Sequence, residues 1–459
     1  MRAIVVSGLA VLGCSSSIDT ITAITTSPLE LTPTFSPSIG DYYVRCTEGD
    51  NSLSVTVDAA STTTTTYLIT EDQPLVIGDY WIRCLPHDFP NITVVKYPDV
   101  GTPTPGYYLV NSMKYAAVLD GNGTPVWYQH AKSACDVDSL APGQISYLPN
   151  AEFPYSFDTS VNIELDVLGT QPTMLQSPDA PTDAHELRLL ANGDYLLFAD
   201  VVVPGVDLTG LAGFGSNESI DDCKIEEVSP DGNLVWSWLA SDHVDPVRES
   251  LAPATNMIDQ VNVVDWFHCN SIDVAANGDL LVSARHANAV YYVERATGQI
   301  AWKLGGTPHN KDGAAHIVVT NDSEGGFNLQ HDARFAGSGD ITLFDDHGAD
   351  AGAGSAVARG VELALDHDAG TAQVVWQFLG TGESQYMGSF RRYSDGDSVI
   401  GWGYVSNSPR ILTETDSSGN DVLDVLFSLP MPTEAVSYRA VKVPLSQLDI
   451  AELRATTAQ

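Results

Sequence analysis

Residues 274–283 read VAANGDLLVS, two apolar runs on either side of an Asn-Gly pair. An Asn-Gly pair between such runs is the strongest short-range sequence signal for a β-hairpin with a two-residue turn. Related stretches recur as LLANGDYLLF at 189–198, FAGSGDITLF at 335–344 and YSDGDSVIGW at 393–402, with a weaker copy, ISYLPNAEFPYSF, at 145–157. The sequence therefore predicts a series of similar hairpins.

A second series of turns precedes strands that contain tryptophan. Its members are LDGNGTPVWY at 119–128, VSPDGNLVWSW at 228–238, RATGQIAWKL at 295–304 and DAGTAQVVWQF at 368–378. Two hairpins in each repeating unit are typical of a β-propeller with four-stranded blades. We therefore expect an all-β fold in which residues 99–459 form a six-bladed β-propeller, with the functional site at its central channel.

A short pattern is duplicated before this region. IGDYYVRC at 39–46 returns as IGDYWIRC at 77–84, and both copies alternate in the manner of half-buried strands. Thr-rich and Val-rich strands surround them, so we expect residues 28–98 to form a small N-terminal β-sandwich. Cys46 and Cys84 occupy equivalent places in the two copies, which leaves a disulfide and two buried thiols both open.

The first residues are typical of an export signal, because Arg2 precedes an apolar run that is too short to span a bilayer. The sequence VLGCSSS at 11–17 resembles the lipobox of bacterial lipoproteins, which predicts a signal peptide at 1–14 and lipidation of Cys14. Residues 15–27 would then form a Ser/Thr-rich tether. We expect an exported protein, periplasmic or at the cell surface, that contacts the membrane only through this anchor. A plain signal peptide that contains a cysteine is the alternative.

Five of the six cysteines remain when Cys14 is set aside, and an odd number cannot all be paired in an oxidising compartment. We therefore expect at least one free thiol. No cysteine shows metal-ligand spacing, so the sequence predicts no cysteine metal site. The sequence leaves open the pairing among Cys46, Cys84, Cys135, Cys223 and Cys269.

Acidic residues dominate the composition, since 59 Asp and Glu against 21 Lys and Arg give a formal net charge of -38. Such a chain repels phosphate backbones and anionic lipid surfaces, which excludes nucleic acid as an expected partner. To bind an anionic small molecule, the protein would need a local pocket of positive charge that overcomes the negative electrostatic potential of the rest of the surface.

The hairpin at 274–283 is expected to bring polar groups together. If Asn277 and Gly278 are the two central turn residues, Asn270 lies opposite Arg285. His268 precedes Asn270 by two residues and shares its face, because strand side chains alternate. A histidine, an asparagine and an arginine would therefore converge at the open end of this hairpin.

The same count in two other hairpins gives a similar result. His185 falls opposite Asp200, and His331 falls opposite Asp346. Successive blades would then bring three imidazoles and one guanidinium to one end of the channel. We expect Asp346 to hold the proton of one ring nitrogen of His331, as a carboxylate orients a catalytic imidazole elsewhere.

This set of groups favours the transfer of a sulfuryl or phosphoryl group. A neutral imidazole can act as nucleophile, base or hydrogen-bond donor, and a guanidinium offers a fixed fork of donors to a tetrahedral oxyanion. Catalysis of such a transfer is mostly positioning and charge stabilisation. A metal site of three histidines is the competing interpretation, which Arg285 disfavours because it would repel a dication. We predict no metal and no cofactor.

Three blocks of sequence around these residues resemble the bacterial arylsulfotransferases, the aryl-sulfate sulfotransferases that work without a nucleotide sulfate donor. The blocks are DAHELRLLANGDYLL at 183–197, DWFHCNSID at 265–273 with SARHANAVYYVERATGQIAWKLGG at 283–306, and NLQHDARF at 328–335 with ITLFDDHG at 341–348. The resemblance implies a six-bladed propeller with a small N-terminal β-domain. It also implies a transferase that moves sulfate from one phenolic ester to another phenol by a ping-pong route.

The resemblance also implies roles for single residues. His331 matches the histidine that is transiently sulfurylated, and is therefore the expected nucleophile. The groups expected to bind the sulfuryl oxygens are His185, His268 and Arg285, with Asn270 assisting in substrate binding. Cys269 departs from the family pattern, and its side chain is expected to face away from the site. The role of Asp346 comes from the register alone.

Two other functions use the same residues. A hydrolase would pass the sulfuryl group to water instead of a phenol, and a non-catalytic propeller would bind sulfated ligands at the cell surface. The expected partners are an aryl sulfate donor and a phenolic acceptor. Their natural identities and the oligomeric state, including a homo-oligomer, stay open.

Overall fold

The structure is a computed structural model. It describes residues 20–112, 114–131, 134–149, 163–167, 173–258, 260–337, 339–348, 357–382, 384–404, 408–428 and 436–455. The predicted signal peptide, Cys14 and residues 15–19 of the predicted tether lie outside these residues. The protein is nearly all-β, with 53% strand and 5% helix. It divides into two compact units, Met1–His87 and Asp88–Gln459.

The first unit contains two three-stranded sheets. One has the order β1 (Ala23–Ser27), β3 (Asn51–Asp58), β4 (Thr62–Ile69), and the other the order β2 (Asp41–Arg45), β6 (Tyr80–Leu85), β5 (Pro74–Ile77). The duplicated pattern supplies β2 and β6, which pair in parallel, and a disulfide joins Cys46 to Cys84. Apolar side chains of both sheets form one buried cluster that includes Tyr42, Leu53 and Ile82.

The second unit begins with two four-stranded antiparallel sheets. The first has the order β36 (Ala440–Pro444), β8 (Gly106–Ser112), β9 (Tyr115–Leu119), β10 (Pro125–His130). The second has the order β11 (Cys135–Asp138), β12 (Gln144–Leu148), β13 (Ile163–Val167), β14 (Thr173–Leu175). The first sheet therefore combines three strands near the start of the unit with one from near residue 440.

A six-stranded sheet follows. Its strands are β15 (Thr182–Leu189), β16 (Tyr195–Val206), β17 (Glu218–Val228), β18 (Leu234–Leu239), β19 (Ala254–Ile258) and β20 (Val261–Asp265). β15, β16, β17 and β18 pair in antiparallel order, and β20 pairs in parallel with the first part of β17. Two short helices, α1 (Ala240–His243) and α2 (Pro246–Glu249), lie between β18 and β19 along the chain.

A nine-stranded sheet contains two antiparallel groups of four strands joined through β25 (Ala315–Thr320). The groups are β21 (Cys269–Val274), β22 (Leu280–Ala284), β23 (Ala289–Val293), β24 (Ile300–Gly305), and β26 (His331–Phe335), β27 (Ile341–Asp345), β28 (Arg359–Asp366), β29 (Thr371–Leu379). A short 3-10 helix, Arg285–Ala287, separates β22 from β23.

The last large sheet has the order β30 (Ser389–Arg392), β31 (Ser398–Gly401), β33 (Arg410–Thr415), β34 (Asp421–Ser428), β7 (Asn91–Lys96). β32 (Gly403–Tyr404) pairs with β35 (Val436–Ser437), and the described chain ends with the 3-10 helix Leu445–Gln447 and α3 (Ile450–Ala455). No helix among the described residues is long and apolar enough to cross a membrane.

Two predicted boundaries are wrong. β7 falls inside the predicted N-terminal domain, but it hydrogen-bonds along β34, so the compact units divide between His87 and Asp88 and not at residue 98. The last part of the predicted tether, Ala23–Ser27, is β1 and pairs with β3. In both places a distant strand completes the hydrogen bonding of a segment whose local sequence resembles a linker.

The Asn-Gly turns form hairpins, as predicted, but with a different loop. Gly278 N donates to Ala275 O at 2.8 Å, Ala275 N donates to Asp279 O at 2.8 Å, and Gly278 has a φ of +92°. This is a three-residue loop in which glycine takes the left-handed position. The pairing therefore shifts by one residue, so that Ser271 lies opposite Ser283, and Asn270 does not lie opposite Arg285.

Candidate active site

His331 opens strand β26, and its Nδ1 lies 2.5 Å from Oδ2 of Asp346, just beyond the end of β27. The two side chains are therefore in contact as predicted, but the predicted register is wrong, because His331 pairs with Phe344 and not with Asp346. Both are buried, with 2% and 0% of their surface exposed. Burial and then the nearby charge of Arg285 hold the pKa of His331 well below its usual value, so its ring is neutral at pH 7.

The backbone on either side of His331 is held in an unusual conformation. Leu329 and Asp332 both have positive φ, 54° and 58°, a region that residues other than glycine rarely adopt. The Gln330 side chain donates to the carbonyl oxygens of Ala284 and Ala289, at 3.1 and 3.0 Å, and so ties this segment to the neighbouring strands. Strain of this kind persists only where surrounding contacts fix it.

Asn270 supplies two of those contacts. Its Nδ2 donates to the carbonyl of Gln330 at 2.8 Å, and its Oδ1 accepts from the backbone N of Asp332 at 3.3 Å. Asn270 is fully buried. These bonds occupy the acceptor and one of the donor groups of the amide, so Asn270 positions the backbone around His331, and its role in substrate binding stays a prediction.

His268 precedes β21 with a positive φ of 53°. Its Nδ1 lies 2.6 Å from Oδ2 of Asp265, and its ring centroid lies 4.9 Å from that of His185. Burial lowers the pKa of His268 to about 4, against the attraction of the Asp265 carboxylate. His268 is therefore neutral at pH 7. Alternation of side chains predicted that His268 shares a face with Asn270. The left-handed backbone at His268 interrupts that alternation, so the two side chains do not share a face.

His185 lies in β15, where its Nδ1 is 2.8 Å from both carboxylate oxygens of Asp183. Burial disfavours the charged ring, but the Asp183 carboxylate outweighs burial and raises the pKa of His185 above its usual value. The predicted pairing of His185 with Asp200 is wrong. In the register of β15 with β16, Thr182 pairs with Ala199, and Asp200 N donates to Pro181 O at 2.9 Å, so Asp200 does not lie opposite His185.

Arg285 is 8% exposed and uses two of its nitrogens for contacts within the protein. Nη1 lies 2.9 Å from Nε2 of His286, and Nη2 donates to the carbonyl of Gln385 at 2.8 Å. Its Nε has no hydrogen-bond partner among the described residues. A buried guanidinium with a vacant N–H is suited to an oxyanion, because an unpaired buried donor is costly until a ligand accepts from it.

Two hydrogen bonds fix the orientation of the His286 ring. Its Nε2 accepts from Arg285, so the proton is on Nδ1, which donates to the backbone carbonyl of Asp265 at 2.8 Å. Asp265, His268 and His286 hold ligand-type atoms within 4.8 Å of one another, a spacing that a metal ion could bridge. These atoms already bond to one another and to Arg285, so the cluster orients the two rings. A cation there would also face the guanidinium.

A small cavity lies beside the rings of His185 and His268. We call it the acidic cavity. It is lined by Asp183, His185, Asp200, Asp221, Cys223, Asn256, Asp265, His268 and Cys269. A disulfide joins Cys223 to Cys269 in its wall, so the prediction that Cys269 faces away from the site is wrong. The predicted free thiol is confirmed, since Cys135 is unpaired and buried.

A buried ion-pair network adjoins the site. Arg334 lies 2.6 Å from Glu186 and 2.8 Å from Asp332, the residue after the candidate nucleophile. Arg439 lies 2.6 Å from Asp136 and also donates to the carbonyl of Asn270 at 2.7 Å. Breaking such a network by removing one member is strongly destabilising, because an uncompensated charge stays buried. The network therefore holds residues from four different strands in fixed positions.

The arylsulfotransferase (ASST) family model matches residues 92–439. The chain belongs to the arylsulfotransferase family. The resemblance noted in the sequence is thereby confirmed, and membership implies a transferase with aryl sulfotransferase activity in general. No curated protein sequence matches the chain at a significant level.

Solved structures that are similar to this arylsulfotransferase share little sequence with it. A Bacteroides caccae protein of unknown function is 12% identical, with a TM-score of 0.45 over 74% of this chain and 99% of the other. Virginiamycin B lyase from Staphylococcus aureus is 9% identical, with a TM-score of 0.36 over 79% of this chain and 91% of the lyase. AztD from Citrobacter koseri is 9% identical, with a TM-score of 0.33 over 74% and 99% of the two chains.

The structure of this arylsulfotransferase brings together the ionisable groups that the sequence singled out. His185 and His268 are in ring contact, and both lie close enough to His331, with Arg285, to lower its pKa. Sequence reasoning missed the carboxylates that orient two of the rings, Asp183 and Asp265, although each precedes its histidine by two or three residues.

Proposed function

We propose that this arylsulfotransferase moves a sulfuryl group from an aryl sulfate to a phenolic acceptor by a ping-pong route, with Nε2 of His331 carrying the group. The observation that supports this best is the 2.5 Å contact between Nδ1 of His331 and Asp346. When Nδ1–H donates to the carboxylate, the proton of the neutral ring is on Nδ1. Nε2 then has a free lone pair.

In the first half-reaction, the Nε2 lone pair of His331 attacks the sulfur of the donor. The N–S bond forms as the bond between sulfur and the aryl oxygen breaks, and the phenolate leaves with that electron pair. Arg285 stabilises the charge on the sulfuryl oxygens through its vacant Nε–H. His185, whose pKa is raised by Asp183, is the ring that donates a proton to the leaving phenolate.

In the second half-reaction, an acceptor phenol attacks the sulfur of the sulfohistidine. The N–S bond breaks, and the electron pair returns to Nε2 of His331. His268 accepts the phenolic proton, because burial lowers its pKa to about 4 and so leaves it unprotonated at neutral pH. The proton then passes from His268 through solvent to His185, which restores both rings for the next turnover. Two rings 4.9 Å apart, one with a raised and one with a lowered pKa, thus take the acid and base roles.

We also propose that the second unit is a six-bladed β-propeller and the first a β-sandwich. The antiparallel groups of strands that begin with β8, β11, β15, β21, β26 and β30 would be the blades, with β36 completing the first. The contacts of Asn270 on β21 with the residues around His331 support close packing of the first strands of two of these groups. One cluster of apolar side chains shared by two sheets supports the sandwich.

An exported location is part of this proposal. Two disulfides, Cys46–Cys84 and Cys223–Cys269, are typical of an oxidising compartment. Lipidation at Cys14 stays a prediction. Replacing Cys14 with Ser should move the protein from the membrane fraction to the soluble fraction, and an unchanged distribution would contradict the anchor.

Incubation with 4-nitrophenyl sulfate tests the function. We expect a burst of nitrophenol without acceptor, steady release only when a phenol is added, and a sulfuryl adduct on the peptide that contains His331. His331→Ala should abolish both the burst and the adduct. His243 offers a matched control, because it also pairs with an aspartate, Asp312, at 2.9 Å, and does not line the acidic cavity. His243→Ala should retain both.

The outcomes separate the alternatives. Steady release that ignores the phenol would assign a hydrolase. Absence of any release, with binding of the aryl sulfate retained, would assign a binding protein. An adduct on another peptide would overturn the role of His331.

A further inference from the structure

The acidic cavity is poorly suited to the aryl end of a sulfate ester. Four aspartates line it, and among the described residues that line it there is neither Arg285 nor His331. An anionic ester is disfavoured beside these carboxylates, since like charges repel. The aryl group would therefore lie on another side of the Arg285 guanidinium.

A short segment before β30 lies against that guanidinium. The carbonyl of Gln385 accepts from Nη2 of Arg285 at 2.8 Å. The preceding residue, Ser384, donates through its backbone N to the carbonyl of Asp346 at 3.2 Å. Asp346 is the residue whose carboxylate contacts His331. The segment is therefore one wall of the candidate active site.

The next residue of this wall, Tyr386, stacks on Tyr404. Their ring centroids lie 4.7 Å apart, with 12° between the ring planes. Two backbone bonds fix the pair, because Gln385 N donates to Tyr404 O at 2.9 Å and Tyr404 N donates to Tyr386 O at 3.1 Å. Gly403 permits this close approach, since it has a φ of +62° and an added Cβ would lie 2.7 Å from Tyr386 O. Both tyrosines are half-buried, so part of each stays accessible.

The stacked pair also adjoins the ring that acts as the acid in the proposed reaction. Tyr386 packs against an apolar cluster that contains Met387 and Tyr438. The ring centroid of Tyr438 lies 5.6 Å from that of His185, and its carbonyl accepts from Gly388 N at 2.9 Å. One aromatic surface thus lies near both the guanidinium that faces the sulfuryl oxygens and the imidazole that faces the leaving phenolate.

We propose that the stacked rings of Tyr386 and Tyr404 bind the aryl group of the donor and of the acceptor, while Arg285 holds the sulfuryl oxygens. This inference rests on the proposed function, since a ping-pong route brings two phenols to the same sulfur in turn. Contacts between aromatic rings stabilise a complex beyond the area that they bury. The two tyrosines therefore select aromatic over aliphatic ligands in both half-reactions.

Sulfonates test binding without transfer, because their carbon–sulfur bond does not break in this reaction. 4-Nitrobenzenesulfonate has the ring and the charged oxygens of the donor, and methanesulfonate has the charged oxygens alone. In calorimetry, directly or by displacement, the wild type should bind the aromatic sulfonate more tightly. Tyr386→Leu should raise the Kd of 4-nitrobenzenesulfonate about 3- to 10-fold and leave that of methanesulfonate unchanged. Tyr386→Phe, which keeps the ring, should restore the wild-type Kd.

Kinetics should show the same loss twice. In Tyr386→Leu, kcat/KM for 4-nitrophenyl sulfate and kcat/KM for the phenolic acceptor should fall by similar factors. The loss should appear in KM and not in the burst rate at saturating donor. A substitution that only loosened the fold would instead lower the saturated burst rate and weaken the binding of both sulfonates, and that result would overturn the proposal.

Tyr292 provides the matched control. It is half-buried and stacks on Trp302, with centroids 5.1 Å apart and 22° between the planes. Its hydroxyl donates to Asp279 at 3.0 Å, at the closed end of a hairpin whose open end leads to Arg285. Tyr292→Leu should therefore keep the wild-type Kd for both sulfonates.

The results are decisive in either direction. A wild type that binds the two sulfonates equally, or a Tyr386→Leu variant with an unchanged Kd for the aromatic one, overturns the proposal. A protein that transfers sulfate with an unchanged KM in Tyr386→Leu refutes this inference alone. One that binds the aromatic sulfonate through Tyr386 but transfers no sulfate refutes only the proposed function.

Discussion

Replacing Asp346 with Asn tests how the nucleophile is prepared. The amide has the shape of the carboxylate, so the packing around His331 is retained, but its Nδ2 can donate to Nδ1 of the ring. The ring proton would then move to Nε2 and block the lone pair that attacks sulfur. With the two side chains 2.5 Å apart and both buried, no water can take the place of the carboxylate.

The expected loss is large. Removing the carboxylate of a buried histidine pair in a protease triad lowers kcat about 10⁴-fold through the wrong tautomer. We expect a decrease of roughly 10³- to 10⁴-fold in the nitrophenol burst rate, which corresponds to about 4 to 5.5 kcal/mol in the barrier. The Tm should not fall, since a buried charge has been removed. Asp312→Asn, which alters the pair with His243 outside the cavity, should leave the burst unchanged.

The pH dependence gives a second readout. Burial raises the pKa of Asp346 well above its usual value, against the charge of Arg285. As the pH falls through the pKa of the pair, Asp346 gains a proton, donates it towards Nδ1, and leaves the ring proton on Nε2. The burst rate of the wild type should therefore rise with pH, and the burst rate of Asp346→Asn should not show this rise. A variant with less than a tenfold loss and an unchanged pH profile would falsify the assigned tautomer.

Three further predictions concern other parts of the second unit. Arg285→Lys should lower kcat/KM for 4-nitrophenyl sulfate roughly 10²- to 10³-fold, because lysine lacks the fork of donors; an unchanged value would remove Arg285 from the reaction. Replacing Cys223 and Cys269 with Ser should lower the free energy of unfolding by about 2–4 kcal/mol, measured in urea, and reductant should then lower it less than in the wild type, because only Cys46–Cys84 remains to be reduced. Gly388→Ala should lower the free energy of unfolding by roughly 1–3 kcal/mol. Gly388 has a φ of +111°, and an added Cβ would lie 2.4 Å from the Phe344 ring. An unchanged free energy of unfolding would contradict that steric explanation.

The sequence predicts the site well where local rules apply. Hairpins at the glycine turns follow from turn chemistry, and they bring His331 near the end of β27, although its register partner is Phe344 and not Asp346. The exact register is different, because a glycine at φ +92° can close either a two-residue or a three-residue loop. A difference of one residue changes which side chains face each other, as at Asn270 and Arg285.

The remaining differences come from contacts between distant segments. β7 looks like the end of the first domain but completes a sheet with β34, and this pairing has no local signature. The left-handed backbone at His268 likewise depends on its surroundings and not on its residue type. The short spacings Asp183-x-His185 and Asp265-x-x-His268 were visible in the sequence and would have identified the carboxylates that orient both rings.

The sheet that β36 shares with β8 has a consequence for biosynthesis. Asn111 on β8 accepts a hydrogen bond from the backbone of Tyr438, 327 residues later along the chain. The next residue, Arg439, contributes to the ion pairs beside the nucleophile. A nascent chain therefore lacks both its last strand and a working centre until residues near 440 have left the ribosome. Closure over so long a loop is slow, so the unfinished protein should depend on chaperones while its edges are exposed.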